Sequence, residues 1–356
     1  MDQRSPAGPG VRCIRWNGHD GRVTVTANHS EVSARRQQAA GLAAAFGIGA
    51  LFAVQSRLNG GLGELLGDGI LAALISFGSG SVILAIAAAL VPGIRRALGN
   101  VWRAIRDPQN GGGLRWWQCI GGLCGAWLVT TQSFTVHVLG VAVFIVAVVA
   151  GQAGSSLIVD RLGFGPAGRQ EFTTLRIVGA GLTVVAVVLA VSDQLGHPSG
   201  LLLAILPALG GVATAFQQAI NGRVAQTAEG GKHGAVAAGA INFWVGFVAL
   251  LIVFGFDLVL RGAPNPLPSN PWLYLGGACG VIFMSVAAAV VRVVGVFVLG
   301  LGTIAGQLIA SLAIDVLAPA ADKPVTFPVV AGTALALAAV VVAAVPNLRR
   351  RVPTNG

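Results

Sequence analysis

"GGLCGAWLVTTQSFTVHVLGVAVFIVAVVAGQ", residues 121–152, aligns without a gap on "GGACGVIFMSVAAAVVRVVGVFVLGLGTIAGQ", residues 276–307. Gly121, Gly122, Cys124, Gly125, Gly140, Gly151 and Gln152 fall on Gly276, Gly277, Cys279, Gly280, Gly295, Gly306 and Gln307. The register continues through "SSLIVD" and "ASLAID", which sets Asp160 on Asp315. Upstream, "QSRLN" (55–59) matches "QQAIN" (217–221), so Gln55 and Asn59 recur as Gln217 and Asn221. "SFGSG" (76–80) answers "NFWVG" (242–246). The chain is two related halves in tandem.

Both halves are made of apolar runs. A helix that crosses a bilayer needs about 20 mainly apolar residues. Ten runs approach or meet this length: 39–58, 70–92, 117–136, 139–159, 177–192, 200–220, 235–256, 272–291, 294–314 and 327–346. Five per half is an odd number, so the second half enters the membrane from the opposite side. The expected fold is an all-α polytopic membrane protein of ten transmembrane helices, an inverted 5+5 repeat. The halves span 37–195 and 196–348.

Composition agrees. The chain is 54% hydrophobic and 10% charged, against about 25% charged in an ordinary soluble domain. So few charges cannot clothe a water-facing surface, and lipid removes that requirement. The net charge of +10 is explained by distribution. With the N-terminus inside, sixteen Arg and Lys of the body lie on the inner side and three (Arg57, Arg261, Lys323) on the outer. Basic residues favour the cytoplasmic face, so both termini are placed in the cytoplasm of a bacterial cell. Nucleic acid is not needed as a partner. Residues 1–36 are polar and turn-rich and lack the apolar core of a signal peptide; they read as a disordered cytoplasmic extension. Residues 349–356 read as a basic tail.

Polar side chains inside such runs mark the candidate site. An amide left unpaired in lipid is costly, so each must face a cavity or bond a neighbouring helix. Gln55 and Asn59 are four apart and share a helix face, as do Gln217 and Asn221. Gln152 and Gln307 sit at equivalent depths in the fourth and ninth runs. These six are the candidate substrate contacts, with a cavity lined by the first, fourth, sixth and ninth runs. Two span-end pairs are candidate gates: Arg57 with Asp315 outside, and Asp160 with Arg223 inside. "GGLGELLGDG" (60–69) reads as an outer loop. Gly121-x3-Gly125 and Gly276-x3-Gly280 are small-residue patterns for close helix packing, with a homodimer as their alternative use.

Enzyme readings find no support. HExxH, GxSxG and GxxxxGK[ST] are absent from the sequence, and no cofactor or metal site is implied. The four cysteines contain no CxxC and read as small buried hydrophobes.

"ALFAVQSRLNGGLGELLGDGILAALISFGSGS" (50–81), with the paired "AGQAGSSLIVDRLG" (150–163) and "AGQLIASLAIDVLA" (305–318), resembles the YdcZ-like branch of the drug/metabolite transporter superfamily. The resemblance spans about 39–346, with two five-helix units fused. It implies small-molecule transport, in the direction of export. The expected function is a membrane transporter working by alternating access. The alternative is a membrane component that binds a lipid or partner protein without transport. The two differ in whether the six amides meet in one cavity.

Overall fold

The computed structural model describes residues 29–107, 113–165, 168–169, 173–192, 198–229, 231–319 and 324–349. The extension expected over 1–28 and the tail at 350–356 lie outside the described residues. Residues 1–40 form one unit and residues 41–356 a second, the helical bundle.

Every long element is a helix: α1 (His29–Leu66), α2 (Gly69–Leu90), α3 (Pro92–Arg106), α4 (Gly121–Leu139), α5 (Val141–Leu162), α6 (Thr174–Ala190), α7 (Pro198–Thr227), α8 (Gly231–Arg261), α9 (Gly276–Leu317) and α10 (Phe327–Arg349). Among the described residues, seven stretches are long and apolar enough to cross a membrane, and three shorter apolar helices accompany them. Large apolar side chains cover outward faces, such as Val82 and Ile86 of α2 or Leu251, Ile252 and Phe256 of α8. Lipid, not water, suits such a surface.

Four boundaries differ from the sequence reading. First, α1 starts at His29, inside the segment read as disordered; Glu, Ala, Arg and Gln over 31–38 are good helix formers with no Gly or Pro among them. Second, α1 continues to Leu66 through most of the glycine-rich stretch read as a loop. Leu62 and Leu66 are buried against α2, and Asn265 caps the end of α1 by donating to the Leu65 and Leu66 carbonyls. Only Gly67 and Asp68 then separate α1 from α2, and the Asp68 carboxylate accepts from the Ile70 and Leu71 amides at 2.8 and 3.0 Å, an N-cap.

Third, α3 is an additional helix. Its buried residues Ile94, Ala97, Val101 and Ala104 recur every three or four positions, and arginines fill the other face. Fourth, α9 is helical over both the eighth and ninth runs, yet its two arms pass α1 in opposite directions. Gly276 lies against Asn59 and Gly280 against Gln55, whereas Gly302 lies against Ala45 and Gly306 against Phe46. Val290 and Leu299 both pack with Ala45, so the chain folds back between them.

The repeat reappears in space as contacts between the halves. A methyl group on Gly122 of α4 would overlap the Asn242 carbonyl of α8; one on Gly277 of α9 would overlap the Ser76 carbonyl of α2. Likewise Gly211 of α7 abuts Val148 of α5, and Gly49 of α1 abuts Thr303 of α9. Each of these contacts recurs between the repeat counterparts: α4 on α8 as the first arm of α9 on α2, and α7 on α5 as α1 on the second arm of α9. The small-residue faces of Gly121, Gly125, Gly276 and Gly280 are used within one chain. The N-terminal half of α5, Val141–Ala150, is buried at every residue and forms the centre of the bundle.

Candidate functional site

Where the four glycine-mediated crossings converge, they leave a cavity enclosing about 860 Å3 of empty space, mouth included. Side chains from α1, α2, α4, α5, α7, α8 and α9 line it. Gln55, Gln152, Gln217, Asn221 and Gln307, five of the six candidate amides, are among them. Beyond the four runs expected, α2, α4, α8 and the first arm of α9 contribute. Phe77 and Phe243, repeat counterparts, meet across the middle with ring centroids 5.0 Å apart.

The amides where α7 meets α5 and α8 are paired. Gln217 Nε2 donates to Asn242 Oδ1 at 2.9 Å, and Gln152 Nε2 donates to Gln218 Oε1 at 3.2 Å. The counterparts of Asn242 and Gln218 are Ser76 and Ser56, shorter side chains that cannot reproduce these bonds. Gln55 and Gln307 are accordingly left without such partners. They are 6% and 7% exposed, and Gln307 Oε1 is a buried acceptor that nothing among the described residues satisfies.

Asn59 stands apart. It is 0% exposed, does not line the cavity, and donates through Nδ2 to Gln132 Oε1 at 2.8 Å. Gln132 Nε2 in turn donates to Ser56 Oγ at 3.0 Å, which donates to the Phe52 carbonyl at 2.9 Å. This chain of bonds ties α1 to α4 on the Asn59 side, and Asn59 Oδ1 is left without a hydrogen-bond partner among the described residues. Gln132, Gln218 and Asn242 were not singled out by the sequence. Gln132 aligns with Ala287 and Gln218 with Ser56, so a search for repeated amides passes over them. Asn242 was visible, but only as a marker of the repeat.

The charged candidates have other partners than those expected. The Asp315 carboxylate accepts from the Val141 and Ala142 amides at 2.9 and 2.6 Å, capping α5. No hydrogen bond or ion pair joins it to Arg57 among the described residues. Gly140, with φ of 82°, turns the chain between α4 and α5, and its contact with Asp315 leaves no room for a side chain. Asp160 pairs with Arg176. Arg223 donates to the carbonyls of Gly163 and Phe164 at 3.1 and 3.2 Å, at the C-terminal end of α5. Among the described residues no group of three or more His, Cys, Asp or Glu could hold a metal.

This geometry can be set beside known proteins. The family model described as "Putative inner membrane exporter, YdcZ" matches the chain twice, over residues 40–189 and 202–342. The chain belongs to this family. It is a multi-pass inner-membrane protein of the drug/metabolite transporter superfamily, built from two family units. A solved structure titled only "Crystal structure of protein" resembles it at 16% identity and a TM-score of 0.50, over 89% of this chain and 99% of that one; the likeness is one of fold. The curated proteins contain no match. Membership places the chain among membrane transporters, a class distinct from enzymes.

Proposed function

We propose that the protein exports a small molecule across the inner membrane by alternating access between its two halves. Ten spans carry it, related as inverted repeats, with both termini in the cytoplasm. The observation that carries this reading is that five of the candidate amides, from both halves, line one cavity. Interhelical bonding alone would not gather repeated amides around a shared space. A lone chain supplies both half-sites, so the mechanism needs no second copy.

In this reading Gln55, Gln152, Gln217, Asn221 and Gln307 touch the solute, and Asn59 belongs to the seal of the outer end. Asp315, holding α5, works with it. The pairs Arg57–Asp315 and Asp160–Arg223 would form in a second conformation, where the capped end opens and the other closes. The test is flux. Purified protein in liposomes, screened against small solutes with and without a pH gradient, should give saturable movement of at least one solute. Replacing Gln55 with Leu should lower it while the protein still inserts and melts normally. Specific binding with no flux under either condition would instead establish the non-transporting alternative.

A further inference from the structure

The cavity also says what kind of solute fits. Seven amides line it, with Ser76 and Thr214, and no ionisable side chain is among the lining residues. An ion brought there would lose water and meet no opposite charge, a heavy cost in a low-dielectric interior. Amides can instead replace the water of a neutral polar group.

The two half-sites differ in a way that localises the solute. At the second half-site, where α7 meets α5 and α8, Gln152 and Gln217 satisfy their neighbours. At the first half-site, where α1 meets α9, Gln307 Oε1 is buried and has no partner among the described residues, and the Gln55 amide makes none of the corresponding bonds. A free acceptor and free donors lining one cavity call for a solute edge that presents a donor and an acceptor together. Aromatic lining follows the same asymmetry. Phe52 and Phe283 wall the first half-site with ring centroids 6.1 Å apart, where their counterparts are Thr214 and Leu128. A spacing of that size does not admit a ring between them, so a flat solute would lie against this wall.

We infer that the solute is uncharged and planar, with an amide or lactam edge held by Gln55 and Gln307 and an aromatic or apolar face against Phe52 and Phe283. This rests on the transporter reading above and names the substrate class of that same cavity.

Nicotinamide, nicotinate and 1-methylnicotinamide share one ring and differ in charge. They serve as probes: the neutral amide, the carboxylate and the cation. Binding to purified protein and flux into liposomes are both measured. Nicotinamide should bind saturably, and each charged analogue at least roughly tenfold more weakly. Gln307→Leu should weaken nicotinamide binding by roughly tenfold, yet leave the melting temperature unchanged or higher, because a buried acceptor that bonds nothing is removed. A purely structural glutamine would give the opposite pattern. Equal or tighter binding of either charged analogue, wild-type binding by Gln307→Leu, or no binding of nicotinamide would overturn the class. Flux of a charged analogue would sink the class and keep transport. Binding of nicotinamide without flux would keep the class and sink transport.

Discussion

The two ends of the cavity are written in nearly the same sequence and finished differently. On the Asn59 side, Asn59, Gln132 and Ser56 form a buried chain of hydrogen bonds, and Asp315, 5% exposed, caps α5. On the Asn221 side the counterparts are Asn221, Ala287 and Gln218. An alanine replaces the central glutamine, so the chain cannot form; Asn221 is half-buried and Gln218 exposed. Asp160, the mate of Asp315, has a side chain 37% exposed and pairs with Arg176. Repetition therefore reaches the close packing of helices but not the sealing of the ends. Ends held to different degrees are what the alternating access proposed above would need of any single conformation.

The largest effects are expected where the two halves are alike. Gly122→Ala and Gly277→Ala each drive a methyl group into a backbone carbonyl of a packed helix. Backbone cannot yield as a side chain can, so each should cost about 3 kcal/mol or more, read as lost yield and a lowered melting temperature. The pair should behave alike. Tolerance of one and not the other would break the pseudo-symmetry on which the comparison stands.

Next comes the contrast between the two acids. Asp315→Ala leaves two buried amide donors at the start of α5 without a partner, each worth about 1–3 kcal/mol. Asp160→Ala removes a half-exposed ion pair, worth about 0–1 kcal/mol. Thermal unfolding of the two variants should separate them clearly, with Asp315→Asn between, since its remaining oxygen still accepts. Equal losses would mean that the capped end is no more firmly held than the other.

A third pair of variants tries to exchange the ends. Gln132→Ala should open the Asn59 side: a cysteine at position 55, in an otherwise cysteine-free protein, should become reactive to an impermeant reagent applied from that side. Ala287→Gln should give α9 a side chain that can bond Asn221 and Gln218 only when that end closes, and slow transport without loss of fold. An unreactive cysteine in the first, or unchanged flux in the second, would deny that the Gln132 position sets the seal.

These expectations show where reading the sequence reached its limit. Apolar runs located the helices because lipid demands long apolar segments, and the repeat located five cavity amides because both halves contribute to one centre. α3 escaped because its signal is an amphipathic spacing, Ile94, Ala97, Val101 and Ala104, not length. The end of α1 escaped because glycines that suggest a loop in water serve as contact points between helices; Gly60 and Gly63 press on Val136 and Ser133 of α4. Gln132 escaped because it is unique to one half. A search built on symmetry finds what the halves share and passes over what distinguishes their ends.

The smallest expected effect concerns Arg223. It is exposed and donates to the carbonyls of Gly163 and Phe164, just where Gly163 closes α5 in a left-handed turn with φ of 70°. A cation there meets the unpaired carbonyls at the negative end of the helix, an interaction of about 0.3–1 kcal/mol at an exposed site and weaker in salt. Arg223 aligns with Gly61, so the sealed end has no such cation and holds α5 through the Asp315 carboxylate instead. Arg223→Gln should therefore lower the melting temperature only slightly, and less at high ionic strength. Its effect on flux should be the larger one if the looser end moves during transport, because Arg223 is then released and remade in each cycle. A stability loss as great as that of Asp315→Ala would show that both ends of α5 are held equally tightly, and the distinction between a sealed and a looser end would not survive it.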